Sequence, residues 1–243
     1  MPSSRLPTDR SQLLRKRPKK KRGLPARILL GILAAVLLFY FCCTCLIVAL
    51  RVFNPPTTAV QMQRHISALL TKRPYRASYL YVPLKRITPD LQYAVIAAED
   101  GRFYVHHGFD WAEMRKVVQD DIAKKSVGRG ASTITQQLTK NLFLGTQRSF
   151  IRKGVEFTLV PIMELLLSKN RILELYLNVI EWGPGVYGAE AASEHWYKTP
   201  ASLLKRDQCA RLAAIIPSPL KRQPARETEY AGEILDRMKK MGW

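Results

Sequence analysis

Residues 130–141 read GASTITQQLTKN, a glycine and small hydroxyl residues ahead of a polar helical pattern. Thr133, followed three positions later by Gln136, is a capping-box pattern and predicts that a helix begins here. Free N–H groups at such a helix start can bind an anion. The polar residues that share one helix face by their spacing are Gln136, Gln137, Lys140 and Asn141. The stretch therefore predicts a helix whose polar face either binds an anionic ligand or faces solvent.

Upstream, residues 99–108 read EDGRFYVHHG and follow an apolar run that is typical of a helix. Glu99 and Asp100 fall at the end of this predicted helix, where the helix dipole disfavours negative charge. A helix end followed by a glycine-bearing loop can present a carboxylate to a cleft, and the alternative is a solvated helix terminus. Adjacent His106 and His107 point in different directions and lack companion ligands, so we interpret one of them as a hydrogen-bonding core histidine rather than the pair as metal ligands.

Downstream, Arg148, Arg152 and Lys153 form a cationic group near the predicted start of another helix. The helix dipole opposes positive charge at this end, and a bound polyanion would offset that cost. The alternative is a plain surface ion pair, since Arg152 and Glu156 are spaced at i and i+4.

Most of the remaining sequence reads as successive helices. Thr88-Pro89 is an N-cap followed by a first-turn proline, and Asp110 with Glu113 repeats the capping-box pattern. Ser168 is placed to cap a further helix. Only Tyr79 to Pro83 is typical of a short extended segment, so the sequence predicts an all-α fold.

The composition narrows the class of protein. Among 243 residues, 39 Lys+Arg against 19 Asp+Glu give a formal net charge of +20, which favours anionic partners such as nucleic acid, phosphate-bearing substrates or an acidic membrane surface. A hydrophobic content of 47% and a charged content of 24% exclude wholesale disorder. Four cysteines in a chain of this size exclude a disulfide-stapled miniprotein.

Residues 28–50 form an uncharged apolar run between Arg27 and Arg51. A helix of this length covers the ~30 Å hydrocarbon core of a bilayer. The run exceeds the ~7–15 apolar residues of a cleavable signal peptide and lacks its small-x-small site. We therefore predict an uncleaved anchor. The predicted organisation is a basic cytoplasmic tail at 1–27, a transmembrane helix at 28–50, a connector and membrane-proximal region at 51–80, and a main domain at 81–243.

Together these stretches resemble the signature of glycosyltransferase family 51, the peptidoglycan glycosyltransferases. The pattern E-D-x-x-F-x-x-H-x-G matches the first stretch, and G-x-S-T-I-T-Q-Q-L-x-K-N matches the second in full. Trp196-Tyr197 stands where the family often has Tyr-Phe, an aromatic exchange without chemical consequence. The five matching blocks follow the family's order at residues 99–108, 130–141, 152–156, 169–178 and 185–198.

The resemblance implies a lysozyme-like, two-lobed glycosyltransferase domain preceded by a single N-terminal transmembrane helix. It also implies polymerisation of lipid II through β-1,4 linkages, with inversion at the donor sugar and release of undecaprenyl pyrophosphate. The alternatives are a lysozyme-like peptidoglycan hydrolase or lytic enzyme, and a non-catalytic membrane scaffold of cell-wall synthesis.

The resemblance implies two catalytic carboxylates. Glu99 would act as the general base, and Glu156 would hold Arg152 or Lys153 or help to bind Mg²⁺ or Mn²⁺. No organic cofactor is expected, and no metal ligands are assigned. The implied substrate-binding set, in which Asp100 and His106 would orient the Glu99 loop, is Asp100, His106, Ser132, Thr133, Gln136, Gln137, Lys140, Asn141, Arg148, Arg152 and Lys153.

The expected partners are lipid II, the growing lipid-linked glycan, the membrane, and proteins of cell-wall synthesis and division, but not nucleic acid. The expected location is the inner membrane of the cell. The chain would cross it once, with a cytoplasmic N-terminus and a periplasmic catalytic domain, because the basic flank precedes the apolar run.

Overall fold

The structure is a computed structural model that describes residues 24–124, 132–147 and 149–243. The chain divides between residues 42 and 43, within the first helix, α1 (Leu24–Ala49), and the second unit is residues 43–243. This helix is long and apolar enough to cross a membrane. It is already helical at Arg27, ahead of the predicted start, because Pro25 is compatible with a first helical turn. Most of the basic tail lies outside the described residues.

The second unit consists mainly of helices, which confirms the predicted all-α class. Its described α-helices are α2 (Ala59–Leu70), α3 (Pro89–Glu99), α4 (Trp111–Lys124), α5 (Ile134–Thr139), α6 (Phe150–Leu166), α7 (Lys169–Val179), α8 (Ala189–Tyr197), α9 (Arg206–Ile215) and α10 (Thr228–Lys240).

A small three-stranded sheet accompanies the helices, in the order β1-β3-β2. Strand β1 (Ser78–Tyr79) pairs in parallel with β3 (Val186–Tyr187), and β2 (Glu181–Gly183) pairs antiparallel with β3. The sequence indicated an extended segment near β1 but not the β2–β3 hairpin. Gly185 turns the hairpin with a positive φ of 75°, a conformation that glycine adopts without steric cost.

Helix α3 lies at the centre of the core and contacts α9 and α10, while α5 packs against α6 and α7. The buried residues of α3 are Leu91, Ala94, Val95, Ile96, Ala97 and Ala98. The small alanine side chains let neighbouring helices approach closely. Because α3 is buried on several sides, the residue at its end, Glu99, has a fixed position.

The predicted helix caps are observed with one difference. Thr133 and Gln136 form the capping box of α5, and Ser168 accepts a hydrogen bond from the backbone N–H of Arg171 at the start of α7. Asp110 Oδ1 accepts the backbone N–H groups that open α4. Thr88 occupies the N-cap of α3, but its side chain makes no capping hydrogen bond.

Candidate active site

The carboxylate of Glu99 at the end of α3 is held by a hydrogen-bonded chain from two other helices. Gln137 Nε2 in α5 donates to Glu99 Oε2 at 2.6 Å, and the Tyr176 hydroxyl in α7 donates to Gln137 Oε1 at 2.9 Å. A carboxylate accepts and a hydroxyl donates here, so the orientation of the Gln137 amide is fixed. Glu99, Gln137 and Tyr176 therefore form one unit.

Tyr176 is fully buried, and its hydroxyl stays the donor in the hydrogen bond to Gln137. Burial raises the pKa of its hydroxyl well above the ordinary value, and the negative charges of Glu99 and Asp100 raise it further. Sequence reasoning did not identify Tyr176 as a site residue. Its match to the fourth family block was the signal that could have done so.

Asp100, His106 and Gly108 fix the loop that follows Glu99. Asp100 Oδ1 lies 2.8 Å from His106 Nε2, and Asp100 Oδ2 accepts the backbone N–H of Ile134 at 2.9 Å. His106 Nδ1 accepts the Gly108 N–H at 3.1 Å, so the ring proton that faces Asp100 is on Nε2. These bonds join the end of α3 to the start of α5, the helices that carry Glu99 and Gln137.

Gly108 is required in this loop for two reasons. Its φ of 92° lies in the region that side-chain-bearing residues rarely adopt, and an added Cβ would lie 2.5 Å from Val160 Cγ1. Its carbonyl also accepts a hydrogen bond from Thr133 Oγ1 at 2.7 Å.

A cationic group surrounds the buried carboxylate of Glu156 in α6. Arg152 Nη1 donates to Glu156 Oε2 at 2.9 Å, and Lys153 Nζ pairs with Glu156 Oε1. Burial lowers the pKa of Lys140 below its ordinary value of 10.5; Glu156 opposes this effect, Arg152 adds to it, Glu99 opposes it and Lys153 adds to it. Lys140 is thus electrostatically coupled to both predicted catalytic carboxylates.

The remaining predicted residues differ in how their side chains are used. Thr133 and Gln136 are buried, and their side chains are occupied by the capping box. Asn141 Nδ2 donates to the Gln137 carbonyl at 2.8 Å, and Ser132 is half-buried beside Glu99. Arg148 lies outside the described residues.

The predicted helix over Gln136 to Asn141 is present but changes form. Helix α5 ends at Thr139 and continues as a π-helical turn, Lys140–Leu144, in which the Gly145 N–H bonds to the Lys140 carbonyl at 3.0 Å. Such turns occur frequently at functional sites. The sequence pattern did not indicate this widening.

Three buried side chains, Asp100, His106 and Asp110, bring potential metal-ligand atoms within 4.8 Å of one another. Both oxygens of Asp100 and the Nδ1 of His106 are engaged with protein groups. Asp110 Oδ1 accepts two backbone N–H groups. Both oxygens of Glu156 are likewise paired with cations. These side chains are engaged with protein groups, and we derive no step through a metal.

A cleft of about 400 Å³ opens beside Glu99. One part of its lining consists of residues from the loops around the carboxylate, including Asp100, Gly101, Ser132 and Thr133. The other part comes from α4 and from the end of α10, and its residues include Glu113, Lys116, Arg237, Lys240 and Met241.

Comparison with known proteins gives a consistent family assignment. A family model described as Transglycosylase matches residues 65–241. The "Biosynthetic peptidoglycan transglycosylase" of Herminiimonas arsenicoxydans is 45% identical over 184 residues, which cover 75% of this chain and 79% of that protein. The protein of the same name from Thiobacillus denitrificans is 56% identical over 139 residues, or 57% of this chain and 60% of that protein. That from Rhizobium etli is 39% identical over 224 residues, or 91% and 90% of the two chains.

Proposed function

Because this chain belongs to the transglycosylase family and is a peptidoglycan glycosyltransferase, we propose that it polymerises lipid II into β-1,4-linked glycan. The configuration at the donor's anomeric carbon would invert, and undecaprenyl pyrophosphate would leave. One observation supports this proposal: the carboxylate of Glu99 is held in position, and a separate cationic group is electrostatically coupled to it. This group consists of Lys140, Arg152 and Lys153.

Glu99 supplies the base of the proposed reaction. The 4-hydroxyl oxygen of the acceptor GlcNAc attacks the anomeric carbon of the donor MurNAc, and its proton passes to the Glu99 carboxylate. The bond from that carbon to the pyrophosphate oxygen breaks as the new glycosidic bond forms. Gln137 and Tyr176 keep the carboxylate in place for this transfer, and such positioning is a large part of catalysis.

The electron pair of the broken bond stays on the departing pyrophosphate oxygen, and the cationic group stabilises the negative charge that develops there. Three cations surround Glu156, so positive charge remains after that carboxylate is neutralised. Glu156 and the Gln147 carbonyl, at 2.9 Å and 2.6 Å, hold the Arg152 guanidinium. Preorganised charge in a partly buried site stabilises a departing anion strongly. Arg148, which lies outside the described residues, stays a predicted member of this group.

Several predicted substrate-binding residues act indirectly in this proposal. Asp100 and His106 fix the loop of Glu99, while Thr133, Gln136 and Asn141 fix the helix of Gln137. Ser132, half-buried at the cleft, is our candidate for a direct sugar contact.

We propose that α1 anchors the enzyme in the inner membrane, with its N-terminus in the cytoplasm and residues 51–243 in the periplasm. A substrate confined to the same membrane then meets the site at a high effective concentration. The apolar side chains of Val52, Phe53, Phe150 and Ile151 are exposed and suit a lipid surface. Association with other cell-wall synthesis or division proteins stays a prediction.

Incubation of the full chain in detergent with lipid II is the test of this function. We expect glycan polymer to form and undecaprenyl pyrophosphate to be released, whereas finished glycan strands remain intact. Cleavage of the finished strands without polymer growth would contradict the proposal and favour the hydrolase.

A Tyr176→Phe variant tests the hydrogen-bonded chain. We expect kcat to fall about tenfold with KM for lipid II within about twofold, because the Gln137 amide loses its partner and Glu99 is held less firmly. Steady-state polymerisation kinetics measure the two constants separately.

Tyr197→Phe is the matched control, since the buried Tyr197 hydroxyl has no hydrogen-bond partner among the described residues. Its kinetics should match those of the parent enzyme. Equal kcat values for Tyr176→Phe and the parent would contradict the positioning role.

A further inference from the structure

We propose that Lys116 of α4 and Lys240 of α10 bind an anionic group of the acceptor substrate in the cleft beside Glu99, with Arg237 adding to the positive charge. This proposal rests on the proposed function and assigns residues to its acceptor side. The ligand chemistry is an anionic oxygen. Lipid II carries such oxygens both in its pyrophosphate and in the carboxylates of its peptide.

The end of α10 is fixed next to Glu99 by specific contacts. The Trp243 ring stacks on Tyr93 of α3, with ring centroids 4.6 Å apart and an interplanar angle of 15°. Arg206 donates to the Trp243 carbonyl at 2.5 Å and to Asp90 at 2.8 Å. Helix α3 carries both Tyr93 and Glu99, so these contacts hold the basic end of α10 at a fixed place beside the carboxylate.

The lysines in this part of the cleft are available to a ligand. Lys116 and Lys240 are exposed, and neither forms an ion pair with another residue in the described part of the chain. Arg237 Nη2 pairs with Glu233 at 3.0 Å, whereas its Nη1 is buried without a hydrogen-bond partner among the described residues.

The cleft lining carries four acidic side chains, Glu99, Asp100, Asp110 and Glu113, and four basic ones, Arg102, Lys116, Arg237 and Lys240, so the lysine charge is local rather than a net charge of the cleft. Asp110 accepts backbone N–H groups and pairs with Arg102 at 3.4 Å, and Asp100 is engaged by His106 and Ile134. Glu113 faces the same cleft and offsets part of the lysine charge. The cleft is thus of mixed charge, with ammonium groups that a bound anion can reach.

These cations are distinct from those proposed for the leaving group. Lys140, Arg152 and Lys153 do not line the cleft that Lys116 and Lys240 line, whereas Lys140 is electrostatically coupled to Glu99. Glu99 therefore adjoins two separate cationic groups. A polymerase joins two anionic, lipid-linked molecules at one carboxylate. The group around Lys140 suits the donor's pyrophosphate, and Lys116 with Lys240 suits an anion of the acceptor.

Two pairs of adjacent residues provide the test. Lys116→Gln and Lys240→Gln each remove a cation that lines the cleft, whereas Arg115→Gln and Lys239→Gln remove an exposed neighbour that does not line it. During elongation lipid II enters as the acceptor. We expect each lining variant to raise KM for lipid II about fivefold, the range of an exposed ion pair. We expect kcat within about twofold, and both controls should match the parent enzyme.

A second substrate identifies the source of the anion. If the lysines bind peptide carboxylates, lipid II with amidated carboxylates should raise KM for the parent enzyme and abolish the difference between parent and Lys240→Gln. If they bind pyrophosphate, the penalty of Lys240→Gln should be equal with both substrates. Either result supports the proposal.

Unchanged KM in both lining variants, or the same rise in the two controls, would overturn this proposal. Failure of the parent enzyme to polymerise lipid II would instead count against the proposed function. The two failures are therefore distinguishable in one set of measurements.

Discussion

Replacement of Glu99 by Gln should lower the rate of glycan polymerisation by about a thousandfold, the range expected on loss of a general base. Glutamine has nearly the same shape, and its carbonyl oxygen can still accept the Gln137 N–H that Glu99 Oε2 accepts at 2.6 Å. The side chain would keep its place but could not take the acceptor proton. Initial rates with lipid II in detergent measure the loss.

Glu194→Gln, an exposed carboxylate in α8, is the control for a general effect of lost charge and should retain the parent rate. The thermal unfolding midpoint of Glu99→Gln should stay within about 2 °C of the parent, which corresponds to less than ~1 kcal/mol. Full activity of Glu99→Gln would contradict the catalytic assignment. A non-catalytic scaffold would also lose nothing on this substitution.

Replacement of Lys140 by Met should reduce kcat about a hundredfold, because one preorganised charge opposite the departing pyrophosphate is lost. Lys140 is electrostatically coupled to both Glu156 and Glu99. Single-turnover rates of lipid II coupling would measure the effect on the chemical step. Lys221→Met, at an exposed lysine, should be neutral.

The same lysine predicts the pH dependence of the reaction. The protonated form is the active one, and burial lowers the Lys140 pKa below 10.5. The parent kcat/KM should therefore fall on the alkaline side at a lower pH than an ordinary lysine would give. Lys140→Arg stays charged at every accessible pH, so its profile should lack this loss even if its maximum rate is lower. An alkaline limb that Lys140→Arg leaves unchanged would assign the loss to another group.

Local patterns predicted the parts of the site that depend on neighbouring residues. Short spacings in the sequence predict three features of the site. They are the Thr133–Gln136 capping box, the end of α3 at Glu99 and the Glu156 ion pairs. The roles of the site residues stay predictions that kinetics must test.

Contacts between distant segments were beyond such patterns. Tyr176 reaches Gln137 across 39 positions, and the charge of α10 comes beside Glu99 because α10 packs against α3 and α9 and Trp243 stacks on Tyr93. The π-helical turn after Thr139 was likewise not indicated by the sequence pattern. A polar spacing on one helix does not specify which partner each side chain meets.

The hydrogen-bonded chain behind Glu99 has a consequence for inhibitor design. A compound that displaced the Gln137 amide would leave the buried Tyr176 hydroxyl without its acceptor, a cost of about 1–3 kcal/mol that the compound would have to recover. Compounds that enter from the open side and leave the amide in place avoid this loss. A carboxylate-seeking group should therefore be carried on a scaffold that contacts Lys116 and Lys240, which line the same cleft, and that leaves the Gln137 amide in place.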